Sequence, residues 1–146
     1  MLSIYFHKIN QEVNMKNEYN GHVIYPKILK LEKGSDLLIS LQAIAKKENK
    51  AGYILSIVGN LSKAKIQCPG KQHSTLIKNT LEIISLNGTI DPNRCHLHIS
   101  FSDGNCNMCA GRLKEGTIIF KVADMLIAFL DENLIKKEKI IHNKQV

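Results

Sequence analysis

Cys95-His96-Leu97-His98-Ile99-Ser100-Phe101, followed at once by Ser102-Asp103-Gly104-Asn105, decides the fold class. Side chains alternate across a strand, so Cys95, Leu97, Ile99 and Phe101 face one way. His96, His98 and Ser100 face the other. Four turn-forming residues then reverse the chain, and Cys106–Leu113 is expected to return as the antiparallel partner. Two registers are open. A two-residue turn at Asp103-Gly104 sets His98 opposite Cys109 and His96 opposite Gly111. One extra bulged residue sets His96 opposite Arg112 and turns Cys109 away.

Outward from this hairpin the pattern is mostly β. Val23–Leu31 reads as a strand, with Pro26 suited to a sheet edge. Glu32-Lys33-Gly34 turns the chain, Ser35 is the expected N-cap and Asp36 suits a first turn. Leu37, Leu38, Leu41, Ile44 and Ala45 share one helical face, and Gly52 is expected to lie past the helix end. Tyr53–Val58 is a short strand, Gly59-Asn60 a break, and Ala64–Gln67 a further strand. Cys68–Ser74, with Pro69-Gly70, is a loop. Leu81–Leu86 is a strand and Asn87-Gly88 a turn. Thr117–Val122 is a strand. Ala123–Leu130 is ambiguous, because Val122, Met125, Leu126 and Phe129 also fit a helix. This order gives an α+β domain with an antiparallel sheet and one principal helix, not a βαβ parallel sheet. Three regions are expected: a peripheral extension over 1–22, the domain over 23–130, and a polar tail over 131–146. Met15 is an alternative start to Met1.

The 146 residues suffice for one domain, and 44% apolar content supports a packed core rather than disorder. The formal charge is +7, with a surplus of +6 in residues 1–73 and +1 in residues 74–146. Such a surface attracts polyanions. Eighteen of the twenty cations are Lys, whereas base-edge readers favour Arg. No secretory signal is visible and no apolar run approaches the ~20 residues of a membrane span, so a cytoplasmic protein without membrane contact is expected. Cys68, Cys95, Cys106 and Cys109 then read as thiols or metal ligands rather than disulfides.

Three stretches resemble the plants-and-prokaryotes conserved (PPC) domain family. They are Leu31-Glu32-Lys33-Gly34-Ser35-Asp36-Leu37; then Ile57-Val58-Gly59-Asn60-Leu61 with Leu81–Ile90; then His96–Gly104 with Ala110-Gly111-Arg112-Leu113-Lys114-Glu115-Gly116. The resemblance covers roughly residues 23–130. It implies a homotrimer, and a family often called DNA-binding. The plant members bind DNA through separate AT-hook segments, and this chain has no Arg-Gly-Arg-Pro segment.

The His-x-His pair places two imidazoles on one strand face with Cα atoms ~6.5–7 Å apart, a spacing that suits a shared zinc. The family pattern adds a third His in a Gly-Gly-His-Leu segment. Here that segment is Ala110-Gly111-Arg112-Leu113, and the third position is Arg112. His96, His98 and Cys109, with Cys106 nearby, would form a substitute zinc set in the first register. Otherwise no cofactor is expected, and His96, His98 and Arg112 would hold a phosphate or carboxylate. Asp124, where the family usually has Glu, is a candidate partner for Arg112 across a subunit boundary. No Ser–His–Asp or Cys–His arrangement follows from spacing, so a binding or regulatory protein is expected before an enzyme. Its expected partners are its own copies and DNA. The alternative is a small-ligand, anion or metal protein with a subunit-interface site at His96, His98 and Arg112.

Overall fold

The computed structural model describes residues 24–130. The expected extension over 1–22, the Met15 start and the tail over 131–146 lie outside the described residues. Seven elements follow in order: β1 (Ile24–Glu32), α1 (Leu37–Glu48), β2 (Gly52–Gln67), β3 (Thr75–Ile90), β4 (Cys95–Ser102), β5 (Met108–Leu113) and β6 (Ile118–Leu130). The sheet order is β1-β6-β2-β3-β4-β5, and every pairing is antiparallel. The end of β2 also pairs with β5, through Ile66–Leu113 and Gln67–Arg112. The sheet therefore curls, and four strands close on themselves at one corner.

The inner faces of the strands and one face of α1 form a single core. Leu97, Ile99 and Phe101 of β4 are buried, as the alternation requires, and Cys95 is half-buried against the same core. Leu37, Leu41 and Ala45 bring the helix in, while Phe129, Ile127 and Ile119 come from β6. Fully burying a side chain such as Phe101 or Phe129 contributes roughly 2–3 kcal/mol.

Several elements extend further than the sequence suggests. Gly59-Asn60 does not break the chain. It lies inside a 16-residue β2, and the irregularity appears as register shifts at Ile54/Ser56, Gly59/Leu61 and Leu61/Lys63. Asn87-Gly88 is likewise no turn but the interior of a 16-residue β3. Gly88 has φ of +133°, and a Cβ there would stand 2.0 Å from the His96 carbonyl oxygen. Glycine is needed at Gly88 so that β4 can approach. Ala123–Leu130 is strand, not helix. This segment runs between β1 and β2, and Ala123, Met125, Ile127 and Phe129 bury successive inner positions.

The helix is capped by Asp36 rather than Ser35. The Asp36 carboxylate accepts from the Leu38 and Ile39 N–H groups at 3.0 and 3.1 Å. Its other oxygen accepts from the Gly116 N–H at 2.6 Å, so one side chain ties α1 to the β5–β6 turn. Asn49, left-handed at φ 50°, closes the far end. Lys27 and Glu48 then pair β1 with that end, and this hydrogen-bonded ammonium holds the Glu48 carboxyl below its usual range. Beneath the cap lies buried Thr117. Its hydroxyl accepts from the Lys65 N–H at 2.9 Å and shares its proton between the Lys65 and Lys114 carbonyls at 3.2 and 3.1 Å.

The β4–β5 connection is longer than either expected register allows. Asp103–Asn107 form the loop, and Cys106 is left-handed at φ 63°. The Asp103 carboxylate accepts from the Asn105 and Asn107 N–H groups at 2.9 and 3.0 Å and from the Asn107 side-chain amide at 3.0 Å. These bonds favour the ionised form and lower its pKa, led by the Asn107 side chain.

Two outcomes are expected. Asp36→Ala should cost about 2 kcal/mol or more, since it removes a cap and leaves the Gly116 N–H without its partner; urea unfolding would show this as a lower midpoint. Because the folded Asp103 pKa is depressed, its stabilisation is present above the ordinary carboxylate range and is lost as pH falls through the lowered value. The Asn105 and Asn107 amide resonances should therefore shift together below that range, and Asp103→Asn should abolish the transition.

Candidate functional site

The register places His98 opposite Arg112, Ile99 opposite Gly111, Ser100 opposite Ala110 and Phe101 opposite Cys109. His98 and Arg112 therefore share the outer face of the closed corner. His96, two residues along the same face, meets His98 edge to face, with ring centroids 5.2 Å apart. Across β3, His98 lies opposite Asn87 and His96 opposite Thr89. Ser100 hydrogen-bonds Ser85 between hydroxyls at 2.7 Å. The outer face of β4 is thus polar along its whole length.

Cys109 does not join the histidines. It is the cross-strand partner of Phe101 and lies on the inner side of β5, exposed because β5 begins at the rim. Cys106 is in the loop, also exposed. The five-residue loop explains this, because it turns Cys109 away and slides Arg112 one pair beyond the bulged register, from His96 to His98. Cys95 is half-buried, and that burial pushes its thiol up. Asp124 pairs with Lys30 of the neighbouring β1 at 3.7 Å within the chain.

The donor set can be compared with the three-histidine zinc site that the sequence resemblance implies. His96 and His98 supply two imidazoles, and the third position supplies a permanent guanidinium cation. Among the described residues no group of three or more His, Cys, Asp or Glu converges. The described residues of one chain do not fit a three-ligand zinc site.

What adjoins His98 and Arg112 is a cavity of about 340 Å³, also lined by Gln67, Gly70, Lys71 and Gly111. Sequence reading missed Gln67 and Lys71, which come from the end of β2 and its following loop. Only the β2–β5 pairing brings them here, and no local pattern announces that pairing. A second concavity of about 420 Å³ lies on the other side of Gln67 and includes Lys65, Lys114 and Glu115. Further along β2 the cations continue: Lys63 is directly opposite Lys78 of β3. No described helix is long and apolar enough to cross a membrane.

Over 106 residues, 72% of its length, the chain is 34% identical to the bifunctional protein GlmU of Synechococcus sp. (strain JA-2-3B'a(2-13)), and it spans 16% of the length of that relative. A hypothetical protein of Salmonella cholerae-suis superposes with a TM-score of 0.74 at 26% identity, covering 77% of this chain and 83% of that one. A provisionally named DNA-binding protein of Bacteroides thetaiotaomicron does so at 0.65 and 19%, covering 76% and 86%. The metal-containing protein AF0104 of Archaeoglobus fulgidus does so at 0.63 and 22%, covering 77% and 84%. The last two similarities concern the fold alone. A family model for the Plants and Prokaryotes Conserved domain matches residues 20–131. The chain therefore belongs to the Plants and Prokaryotes Conserved (PCC) domain family.

Proposed function

We propose that this domain is a non-catalytic, trimer-forming binding module that associates with DNA through a lysine-rich outer surface. The observation that carries the reading is the Lys63–Lys78 cross-strand pair. Like charges directly opposite each other disfavour a sheet, and an anionic partner relieves that cost. Among the described residues neither lysine belongs to an ion pair, whereas Lys27 and Lys30 do. Lys65 follows on the same face of β2, and Lys114 borders the same concavity. The DNA-binding name of the Bacteroides neighbour agrees with this direction. A lysine band without an arginine reader suits phosphate contacts rather than base recognition.

Self-association has its own support. The outer face of β1, β6 and β2 leaves Ile28 80% exposed and Val58 70% exposed, with Tyr53 and Leu55 also uncovered. Exposed apolar side chains gathered on one sheet face suit a subunit contact. Three copies of a +7 chain carry +21, which raises avidity for a polyanion.

A second reading is a small-ligand site around His96, His98 and Arg112, favoured by the direct pairing of His98 with Arg112 beside a cavity.

Two measurements check the first reading. Anisotropy titration of a labelled duplex should show binding that weakens steeply with salt. Lys63→Gln with Lys78→Gln should flatten the salt slope by about 1 per lysine removed; no binding even at low salt would reject the DNA assignment. Separately, Ile28→Glu or Val58→Glu should convert a trimer to monomer in sedimentation. A wild-type chain that sediments as monomer at high concentration would reject the assembly.

A further inference from the structure

We propose that Lys71, His98 and Arg112 form a binding site for a phosphoryl group, either inorganic phosphate or the phosphate of a small metabolite. The proposal rests on the second reading above and narrows it to one ligand chemistry. It is independent of the DNA surface.

The pocket is built, not merely a place where cations meet. Its floor is the β2–β5 closure, where Gln67 pairs with Arg112, which pairs in turn with His98. Gly111 allows this approach: a Cβ there would stand 2.9 Å from the Gln67 carbonyl oxygen and 3.2 Å from Ile66 side-chain atoms. Its wall is the loop after β2. The Gln67 side-chain amide donates to the Lys71 carbonyl at 2.9 Å, and the Lys71 N–H donates to the Cys68 carbonyl at 3.2 Å. These bonds hold the Lys71 backbone over the strand that carries Arg112. The volume of about 340 Å³ is at the lower end of the ~300–1,000 Å³ usual for small-molecule sites.

The lining chemistry selects the ligand. Arg112 supplies a planar fork of donors, Lys71 an ammonium and His98 a ring N–H. No carboxylate lines the cavity, and among the described residues neither Lys71 nor Arg112 is in an ion pair. Two fixed positive charges match a phosphate dianion better than a single carboxylate. The guanidinium that spoils a three-imidazole zinc set is the group that an oxyanion needs. All the lining residues named here come from one chain.

The test is a nitrogen-15 NMR titration of the full chain with inorganic phosphate, run in parallel with acetate at equal ionic strength. Saturable shifts at Gly70, Lys71, His98, Gly111 and Arg112 are expected with phosphate. Arg112→Gln and Lys71→Gln, both exposed positions, should each weaken binding by about tenfold with the spectrum otherwise unchanged. Lys33→Gln, outside the pocket, should leave it intact. Shifts that grow linearly without saturating, or an affinity unchanged in both pocket variants, would overturn the proposal. Acetate binding the same residues as tightly as phosphate would overturn the phosphoryl assignment while leaving the small-ligand reading standing. DNA binding, present or absent, bears on neither result.

Discussion

The return of β5 onto the end of β2 is the constraint on which the rest of the molecule depends. Its ladder is two residue pairs, Ile66–Leu113 and Gln67–Arg112, extended by the Lys114 N–H donating to the Lys65 carbonyl at 3.0 Å. Their effect is disproportionate because they turn an open sheet into a closed corner. Closure gives Leu97, Ile99 and Phe101 a sealed interior to face. It also fixes which side chains share the exterior. Arg112 is set between Gln67 and His98 by backbone pairing, before any side-chain preference acts. A pocket floor made by ladder hydrogen bonds is stiffer than one made by loops.

The polar ties around this corner serve the same end. Asp36 joins the first turn of α1 to Gly116, and Thr117 satisfies three backbone groups from β2 and the β5–β6 turn. Gly116 and Thr117 lie just after β5, where the chain must leave the corner and enter β6. Buried polar groups in such a place are costly unless fully bonded, and no buried side-chain polar atom among the described residues lacks a partner. Charge is arranged differently. Lys63 of β2 faces Lys78 of β3 across the strands, and Lys65 shares a concavity with Lys114 and Glu115.

Much of this was legible in the residues. Strand β4 was read correctly because it is buried on one face only, and a period of two survives in its sequence. The helix was legible for the same reason at its own period. The cap was misplaced by one position, since Ser35 and Asp36 are both good caps and the Gly116 contact that favours Asp36 is 80 residues away. Strand β6 carried no clean alternation because it is flanked by β1 and β2 and is apolar on both faces, with Ala128 buried on the outer side. The glycines at 59 and 88 looked like breaks. Gly88 instead admits a neighbouring backbone, a tertiary demand invisible to local chemistry. His98 and Arg112 were singled out as candidates from their residue types, but their register was not legible. The loop length depends on Asp103 bonding Asn105 and Asn107 in place of a tight turn. Gln67 and Lys71 could not be nominated at all without the closure that brings them near.

The β4–β5 loop imposes an arithmetic on how its two strands can pair. With five residues between the strands, Arg112 is in phase with His98 and Gly111 with Ile99. If the same sequence paired with one residue more or less drawn into that loop, the faces of β5 would exchange, sending the guanidinium toward the core and glycine to the outside. A change of two would keep the faces but slide the partners by one pair. Register here is therefore quantised: a slip of one residue is opposed by the core, while a slip of two keeps the faces and changes which histidine the arginine meets, against the hold that Gln67 keeps on Arg112 from the other side.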